Sequence, residues 1–545
     1  MGRRVVVYDT TLRDGAQGPG VSFTASDKLR IAQRLDHLGV DYVEAGWPGS
    51  NPKDTEVFNA LREEPLGTAR LAAFGATRRA GITAAEDENL QDLLRSGAPV
   101  CTLVGKSSAW QVQNVLRCSR DENLAMIRES VAMLVGEGRE VIFDAEHFFD
   151  GYRQDPGYAL AACTAAAEAG ASWVVCCDTN GGSMPHEVAA AVGTVVERLG
   201  VEPDAGGGGA SNGNRSRVRV GIHSHNDCDL AVANTLAAVE AGADMVQGTI
   251  NGIGERCGNA NLCSVVPNLS VKLGIPTLPE ASLARMTEVS QYVDELANLH
   301  PNPQQPFVGE GAFAHKGGQH VAAVLRHQDA YQHIDPTLVG NHSRVLVSEL
   351  SGRGNVLFKA REFGIDVDND DPVSRRLVKH LKDLEHRGWS FEGADASFEL
   401  IIRRMRDEYA APFDVIDFRA IVERHHGSGV VNSEGTVKVR VGDEVLHTAA
   451  EGNGPVNALD TALRKALVPR FPHLSNVRLH DYKVRILDEA AGTFAVTRVL
   501  IESGDVRDGR RWSTVGCSAN IIEASMGAVA DSLEYALLKM PVEAR

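Results

Sequence analysis

Short apolar runs alternate with longer amphipathic segments over the first half of the chain. Eight such runs, rich in β-branched and aromatic residues, lie at 5–8, 42–45, 71–74, 100–104, 141–143, 173–176, 218–222 and 245–250. Runs this apolar are typical of strands that are buried on both faces of a parallel sheet. Eight strands, each followed by a helix within about 270 residues, match the count of a (β/α)₈ barrel. The alternation alone also allows an open, doubly wound sheet.

Signals for helix starts lie between these runs. Thr24 and Asp27 precede an apolar helical pattern, Ser119 and Glu122 have the spacing of a capping box, and Pro185 suits the first turn of a helix. A glycine-rich segment at 204–216 interrupts the alternation before the seventh run, and its four consecutive glycines predict a surface loop. We therefore expect an α/β fold with a (β/α)₈ TIM barrel at 1–275.

Two further regions follow the barrel. Residues 276–415 are predicted to be mainly helical, with proline-rich breaks, and to form helical connector subdomains. Residues 416–545 contain three predicted strands, and two strand-to-helix joints there share a glycine followed by Asn457 or Asn520. This weak internal repeat of the ββα kind predicts a separate C-terminal α+β domain.

Composition narrows the classes of function. The chain has 545 residues, 43% of them hydrophobic, and a net charge of −17, which opposes general binding to nucleic acid. We expect no membrane association, because no apolar run reaches the length of a membrane-spanning helix and the first is too short for a signal peptide. Nine cysteines without a C-x-x-C pair are typical of reduced thiols, so the expected compartment is cytoplasmic.

Polar residues follow several predicted strands, where the catalytic face of a barrel would lie. Arg13 and Asp14 come after the first strand, either as catalytic groups or as an ion pair in a loop. His223 and His225 lie two residues apart at the end of the seventh strand, so they share a face and can bind one metal ion. The alternative for each histidine is a hydrogen-bonded core position. Asn259, after the eighth strand, can add an oxygen ligand.

Acidic residues concentrate at the same predicted mouth. Asp144 and Glu146 follow the fifth strand, and Asp178 follows the sixth. Negative charges this close together need a nearby cation or Arg13, and a metal ion meets that need.

Another group of ionisable residues lies outside the predicted barrel. His315, Lys316 and His320 belong to the segment AFAHKGGQH at 312–320. These side chains can supply a base or bind an anionic substrate. The alternative is a solvated surface turn.

Three motifs together resemble the metal-dependent Claisen-condensing acyltransferases, the family of 2-isopropylmalate, homocitrate and citramalate synthases. They are DTTLRDGAQ at 9–17, HSHND at 223–227 and GIGERCGNA at 252–260. The resemblance extends over essentially the whole chain. Within the family, the stretches AGWPGSNPKD, FDAEHFFDGY and AFAHKGGQH are most similar to the long bacterial (R)-citramalate synthases.

This resemblance implies a metal site and a reaction. The metal ligands would be Asp14, His223, His225 and Asn259. They would hold Mn²⁺, Mg²⁺ or Zn²⁺, which would act as a Lewis acid on the ketone of a 2-oxo acid. Arg13 would stabilise the developing alkoxide, and Thr179 would hydrogen-bond the substrate carboxylate.

The resemblance also implies how the acetyl group is handled. Acetyl-CoA would be the co-substrate, and Glu146 would position its thioester or take part in proton transfer. His320, from the partner subunit of a homodimer, would assist removal of a proton from the acetyl methyl group, with Tyr331 in support. The C-terminal domain would be regulatory, and isoleucine would be its effector if pyruvate is the 2-oxo acid.

Three other functions remain open from the sequence. The same condensation on another 2-oxo acid is the nearest, because one methylene changes discrimination by only about 1–3 kcal/mol. A lyase of the same superfamily is less favoured, because Glu255-Arg256 stands in the loop after the eighth strand and a further domain is appended. A non-catalytic amino-acid sensor is disfavoured because all four expected metal ligands are present.

Overall fold

The computed structural model describes residues 3–201, 218–315, 317–345, 360, 363–365, 372–391, 393–406, 408–424, 431–487 and 489–539. The predicted loop at 204–216 and Lys316 lie outside these residues. The chain divides into two compact units. One comprises Met1–Phe313 with Ile334–His342, and the other comprises Ala314–His333 with Ser343–Arg545.

Eight parallel strands of the first unit close into a barrel. They are β1 (Val6–Asp9), β2 (Tyr42–Gly46), β3 (Arg70–Ala76), β4 (Val100–Lys106), β5 (Glu140–Glu146), β6 (Trp173–Asp178), β7 (Arg219–Ser224) and β8 (Met245–Gly248). Closure is direct, because β1 pairs with both β2 and β8. An open doubly wound sheet has no such pairing, so the prediction of a (β/α)₈ barrel is confirmed.

Helices follow the strands, as the alternation predicts. The main ones in this unit are Ala25–Leu38, Pro52–Glu63, Glu88–Ser96, Arg120–Gly136, Phe148–Gln154, Pro156–Glu168, Pro185–Arg198, Ala231–Glu240, Leu262–Pro267 and Met286–Leu296, with π-helical turns at Val112–Leu116 and Asn268–Lys272. Ser119 caps its helix by accepting from the backbone N–H of Glu122, a capping box of Thr24 and Asp27 starts the first helix, and Pro185 opens its own. These caps fix where each chain segment leaves the mouth of the barrel and turns into a helix.

The barrel has an inner and an outer apolar layer. Tyr8, Tyr42, Trp173 and Met245 fill the interior, while Val7 and its neighbours pack under the helices. This division follows from the alternation of side chains along each strand. Because the interior is filled, ligands reach only the two ends of the barrel.

The second unit contains helices and two small antiparallel sheets. Its helices include Gly318–Arg326, Pro372–His386 and Asp395–Arg404, and a short parallel pair joins β9 (Ala314–His315) to β10 (Arg344–Val345). None of the helices that the structure describes has both the length and the apolar character that a bilayer crossing requires.

The C-terminal region repeats one motif twice. β11 (Asp414–Arg424), β12 (Val431–Val441) and β13 (Glu444–Gly452) precede the helix Pro455–Leu467, and β14 (Val477–Ile486), β15 (Thr497–Asp505) and β16 (Arg511–Ser518) precede the helix Ile521–Leu538. Each copy is therefore βββα, one strand more than the predicted ββα. The third strand of each copy carries a glycine, Gly452 or Gly516, whose added Cβ would lie within 2.5 Å of the first turn of the helix.

The helix Asp395–Arg404 packs against the last helix through a buried polar cluster. The Arg404 guanidinium donates to Asp531 Oδ1 at 2.7 Å and to both carboxylate oxygens of Glu534. Ser397 donates to the other oxygen of Asp531 at 2.9 Å. These contacts join the helix to the second βββα copy.

Candidate active site

A cavity of about 670 Å³ opens at the carboxyl ends of the barrel strands. Arg13, Asp14, His223 and His225 line one side of it. Arg13 and Asp14 follow β1, whereas His223 lies in β7 and His225 directly after it. Both strands lie next to β8 in the closed sheet. Barrel closure thus brings together two motifs that are far apart in the sequence.

Three of the predicted metal ligands converge in this cavity. The Nε2 atom of His223 lies 3.2 Å from Asp14 Oδ2 and 3.3 Å from His225 Nε2, and His225 Nε2 lies 3.8 Å from Asp14 Oδ2. Ligand atoms about 2.1 Å from one ion, at angles of 90–110°, lie about 3.0–3.4 Å apart. Two of the three separations lie in this range and the third is somewhat longer, so the donors lie close enough together to share one divalent ion.

The protonation states of Asp14 and His225 also suit metal binding. Burial opposes ionisation of Asp14, but Arg13 and His223 hold its pKa well below the ordinary range. Burial, followed by the neighbouring His223, lowers the pKa of His225 to about 3, which leaves that imidazole neutral. A carboxylate and a neutral imidazole are the forms that bind a metal ion.

Asn259 stands beside the cluster. It pairs with His225 in an isolated antiparallel bridge, after a tight turn in which Gly258 has φ +88°. A Cβ at Gly258 would lie 1.9 Å from the carbonyl oxygen of Gly252, so this turn requires glycine. Within the described residues, both polar atoms of the buried Asn259 amide have no hydrogen-bond partner. A metal ion would satisfy such an orphaned oxygen, and the donor set therefore fits one.

Arg13 is held in place by a buried carboxylate. Its Nε donates to Glu44 Oε2 at 2.6 Å, and its guanidinium lies 3.8 Å from the centre of the Phe74 ring. Tyr8 donates to the other oxygen of Glu44 at 2.7 Å. Burial lowers the pKa of Arg13, but Glu44 and Asp14 outweigh that effect and keep the guanidinium charged.

The acidic residues near the ends of β5 and β6 have different environments. Asp144 is buried and accepts from Gln247 Nε2 at 3.1 Å, and burial raises its pKa to about 7. Asp178 accepts hydrogen bonds from the backbone and hydroxyl of Ser183, so its charge orders the loop after β6. Of the two, Asp144 lines the cavity.

Glu146 and Thr179 both line the cavity, each with a protein partner. Glu146 forms an ion pair with Lys106 at the end of β4. The Thr179 hydroxyl accepts from the backbone N–H of His147 at 2.8 Å, which leaves its own proton free to be donated. Arg256 donates to the Thr179 carbonyl and so fastens the loop after β8 to the loop after β6.

His320 and Tyr331 belong to the second unit. Their rings stack at a centroid separation of 4.2 Å, and both side chains are exposed. His315, five residues before His320, is buried. Burial, followed by the charge of His320, lowers the pKa of His315. The structure brings the two predicted helpers of proton removal together, and their catalytic role stays a prediction.

Three polar residues at this site were not predicted from the sequence. They are Glu44, Lys106 and Gln247. All three lie inside strands, whereas the predicted site residues were placed at strand ends and in the loops that follow. A charged or amide residue inside an otherwise buried apolar strand was the available signal, since such residues are seldom fully buried without a partner.

Comparisons with known proteins agree with this geometry. The HMGL-like family profile matches residues 4–293, the homocitrate synthase post-HMGL domain-like profile matches 307–388, and the LeuA allosteric (dimerisation) domain profile matches 392–537. An (R)-citramalate synthase of Geobacter sulfurreducens is 49% identical over 98% of both chains, and one of Aquifex aeolicus is 48% identical over 99% of both. The chain belongs to the (R)-citramalate synthase family.

More distant relatives also match nearly the whole chain. A 2-isopropylmalate synthase of Methanocaldococcus jannaschii covers 98% of this chain but is only 30% identical. (R)-Citramalate synthases are metal-dependent transferases, and the chain carries both the barrel and the allosteric domain of the family. The buried cluster of Asp14, His223 and His225 lies where such a metal would be needed.

Proposed function

We propose that this chain condenses acetyl-CoA with pyruvate and water to give (R)-citramalate and CoA. The observation that carries the proposal is identity of 45–49% to five (R)-citramalate synthases over nearly the whole chain, together with the convergent metal donors. This step would begin the pyruvate route to isoleucine.

The metal site would use all four expected ligands. They are Asp14, His223, His225 and Asn259. A bound Mn²⁺, Mg²⁺ or Zn²⁺ ion would polarise the keto group of the substrate as a Lewis acid. The negative charge of Asp14 and the neutral state of His225 support binding of a divalent cation at this place.

Arg13 and Thr179 would hold the 2-oxo acid. The guanidinium of Arg13 is charged and fixed by Glu44, so it can donate to an oxygen on which negative charge develops without moving. The Thr179 hydroxyl can donate to the substrate carboxylate while it accepts from the backbone. Both groups line the same cavity as the metal ligands.

The thioester would occupy the other part of the cavity. On the side of β3 and β4, the wall of the cavity includes Arg79, Val115, Leu116 and Met126. Apolar side chains suit a pantetheine arm, and the exposed Arg79 suits a phosphate of CoA. The pair of Glu146 and Lys106 would then lie beside the acetyl group.

Proton removal from the acetyl methyl group would fall to His320, with Tyr331 packed on its ring. We propose that the chain works as a homodimer and that His320 reaches the mouth of the partner subunit's barrel. The dimerisation-domain match supports the dimer.

Regulation would reside in residues 416–545, with 1–275 as the catalytic barrel and 276–415 as the connector. Isoleucine is the proposed effector, as the end product of the pyruvate route. All nine cysteines are free thiols, which supports a reducing, cytoplasmic location.

The decisive experiment is release of free CoA thiol from acetyl-CoA with a panel of 2-oxo acids, with and without a chelator. Fast release with pyruvate that a chelator abolishes is the expected result. Preference for 2-oxoisovalerate or 2-oxoglutarate would keep the chemistry and overturn the substrate. No release from metal-replete protein with any acid would overturn the synthase itself.

The effector is tested on the same assay. Isoleucine should inhibit the full chain, whereas leucine and valine at equal concentration should inhibit it less. An enzyme that does not respond to isoleucine would contradict the proposed regulation and leave the catalytic proposal standing.

A further inference from the structure

A buried chain of hydrogen bonds leads from the metal ligands into the barrel. The Nδ1 atom of His223 lies 2.8 Å from Gln247 Oε1, and Gln247 Nε2 donates to Asp144 Oδ1 at 3.1 Å. All three side chains are almost completely buried, and Gln247 has no exposed surface at all. Gln247 lies on β8, opposite His223 in the pairing of β7 with β8.

Starting from Asp144, the donor and the acceptor of each of these two hydrogen bonds can be assigned. An ionised Asp144 can only accept hydrogen bonds, so the amide nitrogen of Gln247 must face it. The carbonyl oxygen of Gln247 then faces His223, and a carbonyl oxygen can only accept. His223 must therefore carry a proton on Nδ1, so Nε2, which lies close to Asp14 and His225, is the nitrogen left to bind a metal ion.

We infer that Gln247 and Asp144 are positioning residues, which fix the tautomer and ring orientation of His223 so that Nε2 is held ready as a metal ligand. The inference rests on the metal site of the proposed function and extends it to two residues that do not touch the ion. Partners that hold a ligating histidine by its second nitrogen typically change metal affinity 10–100-fold when they are replaced.

This chain of bonds differs from ordinary core packing in a testable way. A merely structural role for Gln247 would depend on its volume, which methionine nearly preserves. A positioning role depends on an acceptor facing His223 and on a satisfied partner behind it. The double change Gln247→Glu with Asp144→Asn keeps both, because the new carboxylate accepts from His223 and from the new amide, with the total charge unchanged.

The test is Mn²⁺ affinity of the metal-free full chain at pH 8, measured by calorimetry or by the EPR signal of free Mn²⁺. We expect Gln247→Met to weaken binding about 10–100-fold. The double variant should bind within about threefold of the wild type, as a restored second partner predicts. The absorption bands of bound Co²⁺ should shift in Gln247→Met and return in the double variant.

Thr235→Val is the matched control for lost polar contacts in the barrel. Thr235 is fully buried, but its hydroxyl donates only within its own helix, to Ala231 O at 2.7 Å. This variant should keep the wild-type Mn²⁺ affinity. Thermal unfolding of every variant shows that affinities are compared between folded proteins.

The outcomes separate this inference from the proposed function. Wild-type affinity and Co²⁺ spectrum in Gln247→Met would overturn the positioning role alone, since the metal site would still be present. Weak binding in both the single and the double variant would also overturn it, because an acceptor facing His223 with a satisfied partner behind it would then not restore metal affinity. A wild-type chain that binds no Mn²⁺ or Co²⁺ would overturn the metal site itself.

Discussion

Glu44 Oε2 accepts a hydrogen bond from Arg13 Nε at 2.6 Å, and the Glu44 side chain has no solvent-exposed surface. Its other oxygen accepts from Tyr8. A buried strand of the barrel thus fixes a guanidinium at the mouth, and the ring of Phe74 supports that guanidinium from one face. Arg13 is ordered before any substrate arrives, which removes the entropic cost of arranging it during the reaction.

The first prediction concerns this pair. Glu44→Gln should lower kcat about 10–100-fold, because Arg13 loses its charged partner and its fixed direction toward the developing oxyanion. Tyr8→Phe is the control, since it removes a bond to Glu44 but leaves the ion pair intact. Steady-state kinetics with pyruvate checks both variants, and equal loss in the two would contradict a special role of the ion pair.

Metal removal gives the second prediction. Dialysis against a chelator should abolish activity, and added Mn²⁺, Mg²⁺ or Zn²⁺ should restore it. His225→Gln should lower metal affinity by more than about tenfold, because a neutral imidazole ligand is lost from the cluster. Full activity of the chelated protein, verified by elemental analysis to be metal-free, would refute the site.

Arg79 allows a third test, of where CoA binds. Arg79→Ala should raise KM for acetyl-CoA about 5–20-fold with little change for pyruvate, because a phosphate contact is lost. With acetyl-pantetheine, which carries no nucleotide, wild type and variant should be equal. Arg128→Ala serves as the control from an exposed position on a neighbouring helix. An unchanged KM for acetyl-CoA would place the nucleotide elsewhere.

The fourth prediction is a pH dependence of stability. Burial raises the pKa of Asp9 to about 7, although hydrogen bonds from Thr11 act in the opposite direction. In the unfolded chain this carboxyl titrates near 3.9, so the folded state holds a proton that the unfolded state releases between about pH 4 and pH 7. The contribution of Asp9 to the free energy of unfolding therefore falls as pH rises through this range.

Asp9→Asn removes this titration and keeps an acceptor oxygen for Thr11. Urea unfolding of the metal-free protein at pH 5 and pH 7.5 should show a smaller loss of stability for the variant than for the wild type. Identical pH slopes in the two proteins would show that Asp9 ionises normally in the folded chain.

The fifth prediction concerns Arg404. Replacing it with methionine leaves Asp531 and Glu534 largely buried without their cation, which should destabilise the C-terminal region by about 2 kcal/mol. Arg404→Lys keeps the charge but not the forked geometry, so its loss should be smaller. Calorimetric unfolding of the full chain measures both, and unchanged melting in Arg404→Met would contradict the prediction.

The barrel was predictable because its signal is repeated eight times and is set by burial alone. The closeness of His223 and His225 was predictable for a related reason, since the two share a face at a strand end, and Asn259 follows the next strand. Their binding of a metal ion stays a prediction. In the C-terminal region, β11 was not predicted. It exposes side chains on both faces, so its sequence lacks the apolar alternation that marks a half-buried strand.

Partners inside the strands were harder to foresee. Whether Glu44 meets Arg13, or Gln247 meets His223, depends on register between strands, which is fixed only when β1 pairs with β2 and β7 pairs with β8. Sequence pattern gives the face on which a side chain lies but not the neighbour opposite it.

Closure of the barrel through β1 and β8 also has a consequence for how the protein is made. Asp14 leaves the ribosome more than 200 residues before His223, and Asn259 follows later still. The ligand cluster therefore cannot form until the chain has been synthesised past β8 and Asn259, because the first strand meets the last only when all eight exist. Such distant contacts are slow to form during folding, so metal capture should coincide with the final closure of the barrel.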